Sequence, residues 1–268
     1  MNYKALRNGA TVLSIFAVAA CLFGALALGQ GRGGGQAVPA PSPKDAAPMD
    51  LTGYWVSIVT EDWRYRMVTP AKGDYASVPL NAEGRKVADT WDPAKDEASG
   101  SQCKSYGAAA LMRVPGRLHI TWADDNTLKI ETDAGTQTRL LHFGVAQPSA
   151  GEPTWQGSSA ALWDVPPAGR GMGGGAAVRP GQPRAGTLKV VTTHMRPGYL
   201  RKNGVPYSGN AMVTEYFDRT NEPNGDSWLI VTTIVNDPQY LQQEFVTSTH
   251  FKKQADATGW APTACEAR

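Results

Sequence analysis

Proton exchange near neutral pH requires carboxylates, imidazoles or phenols held where burial or a neighbour shifts their pKa. Glu61, His142, His194 and Glu215 fall within or at the ends of segments that read as strands, with Tyr65 and Tyr216 close to two of them. Facing the inside of a barrel, these groups would support a cofactor-free lyase, isomerase or hydratase, one His acting as general acid or base beside Glu61 or Glu215. The opening segment interleaves aromatic residues at the same period. Trp55, Ser57, Val59, Glu61, Trp63, Tyr65 and Met67 share one face of an extended chain, while Arg64 lies on the other with Asp62 and Arg66. A pocket made by Trp55, Glu61, Trp63, Arg64, Tyr65 and Tyr216 would hold a small apolar or amphipathic molecule between aromatic walls, and this is the leading expectation. A slip of one residue in strand phase, or a bulge near Glu61–Asp62, turns each candidate outward. The plainer alternative for Asp62, Arg64 and Arg66 is an external ion-pair ladder.

The four histidines, His119, His142, His194 and His250, lie on or at the end of predicted strands. Three inward imidazoles would make a zinc site, but no H-x-H or H-E-x-x-H spacing supports one, and no metal or other cofactor is expected. The chain lacks a G-x-S-x-G elbow, a Walker loop, a strand-to-helix G-x-G-x-x-G and a C-x-x-C. Gly173-Gly174-Gly175 precedes no lysine-bearing helix start, so a phosphate cradle is not expected there. Basic residues are dispersed, which disfavours nucleic acid as a partner. The eight tryptophans and nine tyrosines serve core packing or a ligand pocket. After His194 the chain runs MRPGYLRKNGVPYSG, a long polar connection carrying Arg196, Tyr199, Arg201, Lys202 and Tyr207. It is either a solvated loop or a binding loop at a barrel mouth.

The elements that would position these groups follow from composition and patterning. The 268 residues are 41% hydrophobic and 19% charged, a globular balance. Lys4 and Arg7 precede the uncharged stretch Thr11–Leu28, the layout of a bacterial export signal over residues 1–29, with small residues at Ala25, Ala27 and Gly29 for cleavage. A membrane anchor and a lipid on Cys21 are the alternatives, and either would be the chain's one contact with a membrane. The remaining 24 basic and 24 acidic residues balance, so no global field attracts polyanions. Residues 30–50 read as a disordered Gly/Pro/Ala tether, and 165–186 as a flexible Gly/Pro loop within one domain spanning 51–268. Cys103 and Cys265 are the thiols left in a periplasmic or secreted protein, and an oxidising compartment pairs them. A catalytic thiol is the alternative. A monomer is expected.

Period-two runs rich in β-branched and aromatic residues give about ten strands. They are Gly53–Glu61, Trp63–Thr69, Arg117–Trp122, Thr127–Thr132, Gln137–Phe143, Ser158–Trp163, Thr187–His194, Ala211–Asp218, Trp228–Asn236 and Phe245–Lys252. Short turn-forming separators join neighbours into antiparallel hairpins. One helix is predicted over Ala82–Trp91, with Asn81 as its N-cap and Asp92-Pro93 as its stop. Closing the meander removes both sheet edges, so an all-β, up-and-down antiparallel barrel is expected, with a two-sheet sandwich as the alternative.

Gly53-Tyr54-Trp55 resembles the G-x-W opening of lipocalins. Further segments, TGYWVSIVTEDWRYRM at 52–67, PTWQGSSAALW at 153–163, GVPYSGNAMVTEYFDR at 204–219 and the Trp260–Cys265 ending, resemble an uncharacterised family of exported bacterial lipocalin-like proteins. The resemblance covers roughly residues 50–266 and implies a lipocalin-like barrel, with no established activity attached to it.

Overall fold

The computed structural model describes residues 40–144, 151–166 and 186–268. The expected export signal at 1–29, Cys21 and most of the Gly/Pro loop at 165–186 lie outside the described residues.

Nine strands close into a barrel: β1 (Gly53–Ile58), β2 (Arg117–Asp124), β3 (Thr127–Thr132), β4 (Thr138–Phe143), β5 (Ser158–Asp164), β6 (Thr187–Thr193), β9 (Met212–Asn221), β10 (Ser227–Asn236) and β11 (Phe245–Gln254). Between β6 and β9 the chain makes a separate hairpin of β7 (Gly198–Arg201) and β8 (Val205–Tyr207). Strand β1 pairs with β2 on one side and β11 on the other, which leaves the main sheet without an edge. Alternation sorts each strand into a buried and a wetter face. In β6, Leu188, Val190 and Thr192 point in, and they lie opposite Phe217, Glu215 and Val213 of β9.

The sheet is mixed, not wholly antiparallel, because β4 and β5 run parallel. The chain leaves β4 at one barrel end and re-enters β5 from the other, which requires a crossover and not a tight turn. A second departure lies at 63–69, where a strand was expected. There β1 has already ended at Ile58, and α1 (Trp63–Arg66) follows. Asp62 adopts a left-handed conformation (φ 48°), and its carbonyl accepts from the amides of Tyr65 and Arg66 at 2.8 and 3.1 Å. Aspartate tolerates that region better than most residues, so the alternating WRYR sequence is wound into a turn instead of being laid along the sheet.

The single helix expected has company: α2 (Ala82–Asp89), α3 (Pro93–Ala98), the 3₁₀ turn η1 (Gln102–Tyr106) and α4 (Ala108–Leu111). The α2 start is as expected, with Asn81 Oδ1 accepting from the Gly84 amide at 2.8 Å. Asp92 then caps a helix of its own. These elements and the β7–β8 hairpin cover the barrel end at which β1 finishes. Tyr75, Leu80, Met195, Leu200, Val205 and Tyr207 are among the residues of this cap's own apolar core. At Gly204 (φ 82°) a Cβ would run into the Trp91 ring, so only glycine lets the hairpin turn lie flat on Trp91.

The opposite end is closed by residues 40–51, most of which were expected to be tether. Trp163 Nε1 donates to the Pro43 carbonyl at 2.7 Å, Lys44 reaches Asp125 at 3.5 Å, and Leu51 is buried. After β11 the chain passes Arg117 and Asp133, and Cys265 bonds to Cys103 of η1, with Cα atoms 5.1 Å apart. The disulfide ties this tail to the cap.

Candidate functional site

The barrel is filled by its own side chains. Trp55 sits fully buried toward the closed end, its indole donating to the Leu51 carbonyl at 2.9 Å and its ring flanked by Lys253 and Arg219. Trp122, Phe143 and Trp163 form an aromatic row beside it, with centroids 5.6 and 5.5 Å apart. Ile120, Ile130, Leu141, Val190, Val231 and Phe251 occupy the middle.

Toward the capped end the lumen holds a buried ion pair. Arg139 of β4 donates two parallel bonds to Glu215 of β9, at 3.0 and 2.6 Å, and both side chains are fully inaccessible. The same guanidinium reaches Thr192 Oγ1 at 3.3 Å, and Thr192 pairs with Ser159 at 2.7 Å. Glu215 is thus inside the barrel, a phase the sequence left open, but both its oxygens are committed to Arg139. That arrangement fixes the carboxylate in a bidentate contact with no oxygen left over for a ligand.

A cleft of about 300 Å³ opens in the cap. Its walls come from α1 and the residues after it, from η1 and α4, from β7, and from the C-terminal tail at Thr263 and Glu266. Three guanidiniums line it. Arg66 is fully engaged: Nε donates to the Arg113 carbonyl at 2.8 Å, Nη2 to Ser57 at 3.2 Å, and Nη1 to Glu61. Arg113 donates to Asp62 at 3.0 Å and lies over the Phe245 ring. Arg201 donates Nη1 to the Ala76 carbonyl at 2.6 Å, and its guanidinium lies 4.3 Å from the Tyr65 ring centroid. Among the described residues its Nε and Nη2 have no hydrogen-bond partner, although the residue is only 4% exposed.

Burial, followed by the nearby charge of Arg113, lowers the pKa of Arg201. Burial also lowers that of Arg66, against the opposing pull of Glu61. Both remain cations at neutral pH. Lys202 adds a further cation over the Tyr106 ring, 5.1 Å from its centroid. The apolar part of the cleft includes Met67, Val68, Ala110, Val114 and Leu200. Such a cleft can receive an organic molecule with one polar end.

The residues singled out from the sequence are dispersed. Tyr65 lines the cleft and Glu61 supports it through Arg66. With the chain wound into α1, Trp63 is 64% exposed and Arg64 reaches outward to Asp74 at 3.2 Å, so neither faces the lumen. Tyr216 is on the outer wall under Lys189. His142 is also on the outer side of its strand, beside Thr127 at 3.3 Å, and His194, with φ 58°, contacts the Gly151 carbonyl at 2.7 Å. His119 stacks on Tyr54 at 4.1 Å. His250 is the one imidazole in contact with a candidate carboxylate: its Nδ1 lies 3.3 Å from Glu61 and 3.3 Å from Thr60. Among the described residues no three His, Cys, Asp or Glu side chains are grouped to hold a metal.

The polar connection after His194 supplies Arg201 and Lys202 to the cleft. Arg66 and Arg113 were not expected there, because no local spacing links α1 to α4. The only signal was the density of arginines in 64–66 and 113–117. The closed barrel is consistent with a lipocalin-like fold, and comparison with protein-family models, curated proteins and solved structures finds no match for this chain.

Proposed function

We propose that this protein is an exported small-molecule-binding β-barrel whose site is the cleft in the cap. The observation that carries the reading is that cleft, at about 300 Å³ with apolar and cationic walls, set against a barrel interior occupied by its own side chains. The volume is at the lower end of the ~300–1,000 Å³ range of ligand pockets, which selects a small apolar or amphipathic molecule. The Cys103–Cys265 bond fits an oxidising compartment such as the periplasm, and no helix among the described residues is long and apolar enough to cross a membrane.

A neutral fluorescent probe, N-phenyl-1-naphthylamine, tests the site. The full disulfide-bonded chain should bind it one to one, and Val114→Trp, which fills the cleft, should abolish binding without lowering the melting temperature. Undiminished binding by Val114→Trp, or no binding by the parent chain, refutes the cleft as the site.

The Glu61–His250 contact is the observation that favours the second reading, acid–base catalysis at the rim of the capped end. Small molecules that co-purify with the chain would then return chemically changed after incubation, and Glu61→Gln would stop the change.

A further inference from the structure

The three arginines of the cleft are not equivalent. Arg66 and Arg113 are each matched by a carboxylate, on Glu61 and Asp62, and so is neighbouring Arg64, on Asp74. Arg201 has no carboxylate at ion-pair distance among the described residues, and Asp62 and Asp74 act on it only from beyond that distance. Lys202 and Glu266, also on the cleft wall, contribute one charge of each sign, so the excess is a single positive charge. A buried cation without a counter-charge is costly to a folded chain.

The geometry around Arg201 leaves one edge of its guanidinium without a partner, with both nitrogens of that edge shielded from solvent. The Tyr65 ring covers a face and the Ala76 carbonyl takes Nη1, which leaves Nε and Nη2, the pair of donors whose parallel N–H bonds match the two oxygens of a carboxylate. Asn203, two residues on, holds the 71–74 loop through the Ala71 and Asp74 carbonyls at 3.1 and 3.0 Å, so the edge is held on an ordered frame. Next to it, Met67 and Val68 are 59% and 67% exposed and both belong to the cleft wall. A cation at the base and unclad apolar side chains at the lip are the two halves of a site for an amphiphile.

Resting on the cleft as the ligand site, we infer that the ligand is an amphipathic monocarboxylate. Its carboxylate is received by Nε and Nη2 of Arg201 once the side chains that shield this edge move aside, and its apolar remainder lies along Met67, Val68 and Val114. A monoanion cancels the excess charge of the cleft. A dianionic phosphate would overshoot it in the presence of Glu266.

Calorimetric titration of the full disulfide-bonded chain with octanoate, 1-octanol, octyl phosphate and octylamine decides the matter. Octanoate should bind at least about tenfold more tightly than octanol, the difference a charge-assisted bidentate contact supplies, and octylamine should be the weakest of the four. In Arg201→Met the preference for octanoate over octanol should vanish. Arg201→Lys, which keeps the charge but not the fork, should retain only part of it. Equal binding of octanoate and octanol by the parent chain overturns the carboxylate assignment and leaves the cleft reading standing. Tighter binding of octyl phosphate than octanoate also overturns it. Absence of binding by all four, together with no uptake of the naphthylamine probe, overturns both. Should Arg201→Met fail to fold, the ranking of the four ligands on the parent chain still decides.

Discussion

The Arg139–Glu215 pair is the most consequential polar contact inside the barrel, and its energetics are open to direct measurement. Both side chains are wholly removed from solvent, joined by bonds of 3.0 and 2.6 Å and backed by Thr192 and Ser159. Glu215→Gln keeps the shape but leaves Arg139 as a buried cation with no counter-charge, for which we expect a cost of about 3–5 kcal/mol. Against a total stability of roughly 5–15 kcal/mol, that is a large part of the whole. The double variant Arg139→Met/Glu215→Leu removes both charges and fills the space with apolar atoms. It should fall within about 1 kcal/mol of the parent chain or exceed it. Urea unfolding followed by tryptophan fluorescence and far-UV circular dichroism, with the disulfide intact, reads both. At slopes of about 2–3 kcal/mol/M the single variant shifts the midpoint down by roughly 1–2.5 M. A single variant within about 1 kcal/mol of the parent, or a double variant worse than the single, would refute the assignment of Glu215 to structure and reopen its candidacy as an acid or base.

Opening the Cys103–Cys265 bond by Cys265→Ser releases a 162-residue loop closure, worth at most about 5 kcal/mol in the chain-entropy model; urea unfolding should show most of that loss, and probe binding should weaken because Thr263 and Glu266 wall the cleft. Burial and the bond to Asp89 push the Tyr75 phenol up to about 12, and burial pushes Tyr199 and Tyr207 higher still. Absorbance titration at 295 nm should therefore show a set of phenols ionising well above the free tyrosine value of about 10. Since each folded pKa lies above the unfolded value of about 10, their contribution to stability is complete below that pH and is lost as pH rises toward and through the folded values; Tyr75→Phe should remove the Tyr75 part of that alkaline loss. Gly204→Ala meets both a left-handed φ and the Trp91 ring, and should cost about 2–4 kcal/mol, whereas Gly73→Ala, with φ 90° and open space around it, should cost about 1–2 kcal/mol. Equal losses in thermal melts of the two would remove Trp91 from the argument.

Local pattern is sufficient for the barrel wall. Residues 117–122 and Thr127–Thr132 alternate in sequence because one side of each strand is buried and the other is wetter, and a period of two records that directly. The Asn81 cap is equally local, since its partner is three residues away. Pairing of Cys103 with Cys265 followed from there being two thiols to pair once Cys21 was set aside. The segment 63–66 shows where local pattern fails: WRYR alternates like a strand, yet Asp62 turns the chain and Arg66 is claimed by Glu61, Ser57 and the Arg113 carbonyl. Residues 40–50 have the composition of a tether, but the barrel end offers them Trp163 and Asp125, and those contacts order them. The parallel β4–β5 pair, the Arg139–Glu215 bond across 76 positions and the meeting of Arg66, Arg113 and Arg201 in one cleft leave no local trace. Alternation depends on each residue's own transfer from water and so is written along the chain. Whether an arginine can be buried depends on which carboxylate, carbonyl or ring lies opposite it, and only the closed barrel and its cap decide that.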